Sequence, residues 1–150
     1  MTEDKDSIPT DNAIKKLPEL ERKAFNDIRR LVGNQKWWVK GLATIPLLNS
    51  VDDFRYYHPG FTISTSHIDG LSLSGENLPE LYRKINHFSY LQHLDLSHNQ
   101  LQTLPDQISK LKQLQYLDLS SNKFHTLPPV ITELSQLHTL VLSHNFIFII

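Results

Sequence analysis

The chain has 150 residues, 39% of them hydrophobic and 21% charged, and carries a formal charge of -1 with no cysteine. That is the composition of a folded domain with a core, and it excludes a chain that is disordered throughout. Balanced charge leaves nothing in excess to hold a phosphate backbone or an anionic membrane, so neither nucleic acid nor membrane is expected as a partner. The missing thiols exclude disulfides, thiolate nucleophiles and Cys-based zinc sites.

Residues 1–12 are polar, acidic and aperiodic, and read as a flexible tail. The start Met1 to Asp6 has no basic region followed by an apolar stretch, and no apolar run approaches the ~18 residues of a membrane span, so a cytoplasmic location is expected. Residues 13–60 read as a helical N-terminal cap. Ile14 and Leu17 suggest a short helix before Pro18. Pro18 then suits the first turn of a second one, with Leu20, Ala24, Ile28 and Leu31 on one face and Gly33 placed to end it. Trp37, Trp38 and Val39, the run from Ile45 to Leu48, and Phe54, Tyr56 and Tyr57 are too apolar for a linker and are expected to cover one end of the core. Packing into the cap is the favoured reading for each Trp ring, with an exposed anchor between Lys36 and Lys40 as the other. Phe61 to Ser64 and His67 to Leu73 are both strand-like with a short Thr-Ser turn between them, which predicts an antiparallel hairpin.

From residue 68 onward an internal period takes over. Leu91, Leu94, Leu96, Asn99 and Leu101 recur as Leu114, Leu117, Leu119, Asn122 and Phe124, and again as Leu137, Leu140, Leu142, Asn145 and Ile147. Between these blocks run Leu104, Pro105, Ile108 and Leu111, then Leu127, Pro128, Ile131 and Leu134. An earlier, degraded block holds Ile68, Leu71, Leu73, Leu78, Leu81, Ile85 and Phe88, with Glu76 in the Asn position and Asn77 displaced by one. Leucines two apart cannot share one helix face, and Pro105, Pro128 and Pro129 break helices, so a helical array is set aside. Alternation gives each block a short strand with one buried face. Such strands stack about 4.8 Å apart as a parallel ladder whose repeats share a core that none could bury alone.

These residues resemble the leucine-rich repeat family, in the 23-residue variety whose return segment reads Leu-Pro-x-x-Ile-x-x-Leu, over Ile68 to Ile150. The resemblance implies an α/β leucine-rich repeat solenoid, with repeats from 68, 91, 114 and 137 and a hairpin lead-in over 61–73 that is similar to that of some microbial and plant members. It also implies an internal ladder of the recurring Asn and a role in protein-protein interaction. Repeats of this type resemble those of proteins that engage small GTPases and of secreted microbial effectors. That keeps open a small GTPase partner and delivery outside the cell without a signal peptide.

The outward strand positions form rows: Gly70, His93, Tyr116 and Thr139, then Ser72, Asp95, Asp118 and Val141, then Ser74, Ser97, Ser120 and Ser143. Asp95 and Asp118 beside His93 sketch a carboxylate pair or a metal site, but Leu-Asp-Leu-Ser is common strand wording in the family resembled. His98 and His144 lie two rungs apart, about 10 Å, too far to share an ion. The serines lack a strained turn of the Gly-x-Ser-x-Gly kind, and the five glycines form no phosphate cradle. No catalytic, metal or cofactor site is expected. From Ile68 on there are six His, with five Lys and Arg against seven Asp and Glu, so protonation near pH 6 makes this half positive. The expected partner surface is His93, Asp95, His98, Tyr116, Asp118, Thr139, Val141 and His144, with Tyr116 as its centre. The run Phe146, Ile147, Phe148, Ile149 and Ile150 leaves an apolar edge with three readings: a truncated array, a homodimer formed end to end, or a tail folded over its own last repeat. Two alternatives to a free-standing recognition module stay open, a self-assembling structural protein and the recognition part of a larger signalling or effector protein.

Overall fold

Thr65 and Ser66 both take left-handed backbone, with φ of 48° and 67°, and so make the two-residue turn that joins β1 (Gly60–Ser64) to β2 (His67–Ser72). The pair is antiparallel, with Phe61 opposite Leu71 and Ser64 opposite His67, as the strand-like wording on either side of the turn predicts. The computed structural model describes residues 10–33, 47–48, 52 and 60–148. Trp37, Trp38, Val39, Ile45, Phe54, Tyr56 and Tyr57 lie outside the described residues.

Beyond β2 the sheet becomes parallel. β3 (His93–Asp95), β4 (Tyr116–Asp118) and β5 (Thr139–Val141) follow in chain order, giving five strands in the sequence β1-β2-β3-β4-β5. Gly70 pairs with His93, His93 with Tyr116 and Tyr116 with Thr139, so each rung advances the chain by one repeat with no slip of register. The leucines between these residues, Leu71, Leu94 and Leu117, point the other way and are wholly buried, as are Leu96 and Leu119 beyond them. The chain returns through short 3-10 turns at Arg83–His87, Asp106–Lys110 and Pro129–Glu133. Pro105, in extended backbone, stands just before the second of these, and Pro128 just before the third. Ile85, Ile108 and Ile131 reach inward from them to close the core.

In the region expected to form a cap, residues 10–33 fold as two helices, but the helical part begins earlier and presents a different face from the one expected. α1 (Thr10–Lys15) starts inside the stretch read as a flexible tail, and α2 (Glu19–Gly33) follows Pro18, whose carbonyl accepts the N–H of Arg22 at 2.9 Å. The buried stripe is Ile14, Leu17, Glu21, Ala24, Phe25 and Ile28, whereas Leu20 is 61% and Leu31 46% exposed. The physical reason is Glu21. Its carboxylate, only 1% exposed, accepts the backbone N–H of Ile68 at 3.1 Å and meets His67 Nδ1 at 3.2 Å. It therefore joins the cap to the lead-in of β2 where an apolar side chain could make no bond. Beside it the Phe25 and Phe61 rings meet with centroids 4.5 Å apart. Farther along α2, Asp27 accepts the Tyr82 hydroxyl at 2.6 Å and Lys84 Nζ at 3.2 Å, which clamps the helix to the first return segment.

Candidate functional site

Each strand ends in a turn whose backbone polar groups must be paired, and the recurring Asn supplies the partners. Asn122 Nδ2 donates to the carbonyls of Leu96, Leu119 and Ser120 at 2.9, 3.1 and 3.2 Å, and its Oδ1 accepts the N–H of Leu101 at 2.9 Å. Asn99 does the same one rung earlier, with Leu73, Leu96, Ser97 and the N–H of Leu78. This is the internal ladder that the resemblance to leucine-rich repeats implies. The turns also place a left-handed residue at one recurring offset: Gly75, His98, Ser121 and His144 have φ of 75°, 54°, 52° and 56°, and the first turn has a second in Asn77 with φ of 56°. His98 and His144 are exposed there, with Ser121 on the rung between them.

The outward rows carry the candidate surface. In the first row the His93 and Tyr116 rings stack with centroids 5.5 Å apart and planes 19° apart. Burial holds the His93 imidazole below its ordinary value of 6.5, against the opposing pull of the Asp69 and Asp52 carboxylates. Thr139 completes the row and is exposed. In the second row the two aspartates turn out to serve their own chain. Asp95 Oδ1 accepts the N–H of Ser97 at 2.9 Å and Oδ2 accepts the Ser72 hydroxyl at 3.2 Å. Asp118 Oδ1 accepts the N–H of Ser120 at 2.8 Å and Oδ2 accepts the Tyr116 hydroxyl at 3.3 Å. These are side-chain turns that fasten the strand end two residues on.

The expectation that Asp95 stands outward for a partner therefore needs correction, because it is only 8% exposed with both oxygens engaged. Asp118 is half-buried, and Val141 beside it is half-buried too. The third row is likewise internal for most of its length: the Ser74 and Ser97 hydroxyls share a hydrogen bond at 2.8 Å, and Ser120 is buried. Exposure grows toward the last rung, so the open part of the face is Tyr116, Asp118, Thr139 and Val141, flanked by His98 and His144. No group of three His, Cys, Asp or Glu able to hold a metal ion occurs among the described residues.

Further aromatic pairs are not foreseen from the sequence. His67 stacks on Tyr90 with centroids 3.8 Å apart, and the same imidazole meets the buried Glu21 carboxylate. The repeat interval was the available signal, since positions 67 and 90 are equivalent on neighbouring rungs. At the far end, Phe146 packs on His125 with centroids 5.4 Å apart, yet Phe146 and Phe148 remain exposed, Phe148 to 77%. Ile147 is partly buried, and Ile149 and Ile150 lie outside the described residues.

A family model described as a leucine-rich repeat region matches residues 67–148. The chain belongs to the leucine-rich repeat family. The match begins at the first residue of β2 and runs through all four parallel rungs of the leucine-rich repeat ladder. Among solved structures, a leucine-rich repeat protein of Leptospira interrogans is similar at 39% sequence identity. The likeness covers 46% of this chain and 18% of that one, with a TM-score of 0.45. The chain thus spans under a fifth of the length of that protein. No curated protein matches it. Leucine-rich repeat regions are typically non-catalytic interaction modules that bind proteins.

Proposed function

We propose that this leucine-rich repeat chain is a non-catalytic recognition module that binds a protein partner on the outward strand face, with Tyr116 at the centre of the contact. The observation that carries the reading is how Tyr116 is held. Its ring lies on His93 and its hydroxyl bonds Asp118, which itself bonds the next turn, so the side chain is already ordered before any partner arrives. An ordered aromatic with a polar tip loses little freedom on binding and presents both apolar area and a hydrogen-bonding group. Thr139, Val141, His98 and His144 frame it. Activity in the cytoplasm and a folded signalling protein such as a small GTPase as partner belong to the same reading, as does service as the recognition part of a larger protein.

The test is affinity measurement by calorimetry on a captured partner, with the native chain and Tyr116→Ala. A loss of at least about tenfold is expected, since an interface-centre aromatic contributes more than about 1.4 kcal/mol. Unchanged affinity with an unchanged circular dichroism spectrum refutes the site.

A second reading rests on the last rung. Leu137, Leu140 and Leu142 are partly exposed, whereas their equivalents one rung back, Leu114, Leu117 and Leu119, are wholly buried. Together with Phe146 and Phe148 they form an apolar edge that a second copy of the chain could cover. Sedimentation velocity across a wide concentration range decides this: the native chain should self-associate and Phe148→Asp should not. A concentration-independent monomer refutes it.

A further inference from the structure

The ladder of asparagines has one member of a different kind. Positions 76, 99, 122 and 145 are equivalent, and the first is Glu76. Each Asn rung works because one amide both gives and takes. Nδ2 donates to its own rung and to the rung before, and Oδ1 accepts an N–H from the turn before. An ionised carboxylate has only the accepting half of that chemistry. Glu76 is nevertheless only 5% exposed, as deeply placed as Asn99 and Asn122, and among the described residues no hydrogen bond or ion pair engages it. The carbonyls at the offsets that Asn99 serves on its own rung, those of Leu96 and Ser97, correspond here to Leu73 and Ser74. At this position in the ladder a protonated carboxyl has an O–H to donate to such oxygens, while a carboxylate brings negative charge and no donor.

Among the described residues the neighbouring elements supply no compensating charge. On its own turn Gly75 and Asn77 are neutral, and on the next rung Ser97 and Asn99 are neutral and His98 is exposed. β1 contains no charged residue, and on the first return segment Glu80, Arg83 and Lys84 are exposed, with Lys84 given to Asp27, while His87 at its end is half-buried and makes no hydrogen bond through Nδ1. The nearby carboxylates Asp52 and Asp69 act on His93, and burial alone acts on Glu76.

We propose that Glu76 is a protonation latch at the first rung: neutral, it closes that rung as the asparagines close theirs, and ionised, it loosens the rung and the joint between hairpin and repeats. Burial pushes its carboxyl from 4.5 up to about 7, which puts the change at neutral pH. The sign follows from the folded state binding the proton more tightly than the unfolded one. The contribution to stability is complete below pH 4.5 and is lost as pH rises through about 7. The latch concerns the cap end of the solenoid and does not depend on which partner the outward face binds.

The experiment is nuclear magnetic resonance on the full chain. It follows the Glu76 side-chain carboxyl carbon and the exchange protection of the Leu73 and Gly75 amides, which bond the carbonyls of Asp95 and Ser97. A carboxyl midpoint near 7 is expected. With it should come a fall in protection at those two amides of at least about tenfold between pH 6 and pH 8, after correction for intrinsic exchange. Glu76→Gln, neutral at every pH and able to donate, should show no such fall. A carboxyl midpoint at the ordinary 4.5, or an undiminished fall in Glu76→Gln, overturns the latch. Should that variant fail to fold, the titration of the native chain still decides.

Discussion

Replacing Asn122 with Ala removes four hydrogen bonds at once, but the structure shows that they are not equal. The Leu96 carbonyl keeps Asn99 at 3.0 Å, the Leu119 carbonyl keeps Asn145 at 2.8 Å, and the Ser120 carbonyl keeps the N–H of His98 at 3.0 Å. Only the N–H of Leu101 is orphaned, in a site where Leu101 itself is wholly buried. An orphaned buried amide costs about 2 kcal/mol, and the weaker loss shared by the three carbonyls adds about 1, for a total of about 3 kcal/mol. At this chain length that lowers Tm by roughly 6–12 °C. Asn145→Ala removes the same pattern on the last rung, orphaning the N–H of Phe124, but Asn145 is half-buried and water can replace it. About 1 kcal/mol is expected there. Urea unfolding followed by circular dichroism, with both variants at one pH, measures the difference. A cost below about 1 kcal/mol for Asn122→Ala, or equal costs for the two, refutes the claim that the ladder stabilises interior rungs through otherwise unpaired N–H groups.

The apolar core should show the same gradient. Leu117→Ala, in a wholly buried position, is expected to cost about 3 kcal/mol and Leu140→Ala, its equivalent on the last rung, less than half of that by urea unfolding. For His93, burial disfavours the imidazolium in the folded state, so its contribution is complete above pH 6.5 and is lost as pH falls through that value toward the lower folded one. His93→Gln should therefore flatten the decline in stability from pH 7 to pH 5, and a decline identical to that of the native chain contradicts the assignment.

Particular residues show what could be read in advance. The repeat interval places Gly70, His93, Tyr116 and Thr139 in one row, and the register confirms it because a slip of one residue would turn every leucine of that strand outward. The Thr65-Ser66 turn was readable for a similar reason, since strand-like wording on both sides of two residues leaves few ways to connect them. Alternation points Asp95 outward, but it gives only the direction in which a side chain leaves the strand, not whether it then folds back. Its carboxylate finds the N–H of Ser97 two residues on and becomes part of the scaffold. Hydrophobic periodicity places Leu20 and Leu31 inward because it counts Glu21 as a surface residue, whereas Glu21 is buried and both leucines are exposed.

What the sequence by itself determined is whatever repeats: the rung interval, the inward leucines, the outward rows and the ladder of Asn, because periodic burial writes the same demand at the same offset each time. The tertiary structure decided whatever occurs once. The seating of α2 through Glu21 on the Ile68 N–H, the Phe25 and Phe61 contact, and the burial of Glu76 without a partner among the described residues each join segments distant in the chain or depend on where the ladder begins. Their energies come from desolvation and from bonds to one particular neighbour, and no local pattern of hydrophobicity encodes that neighbour.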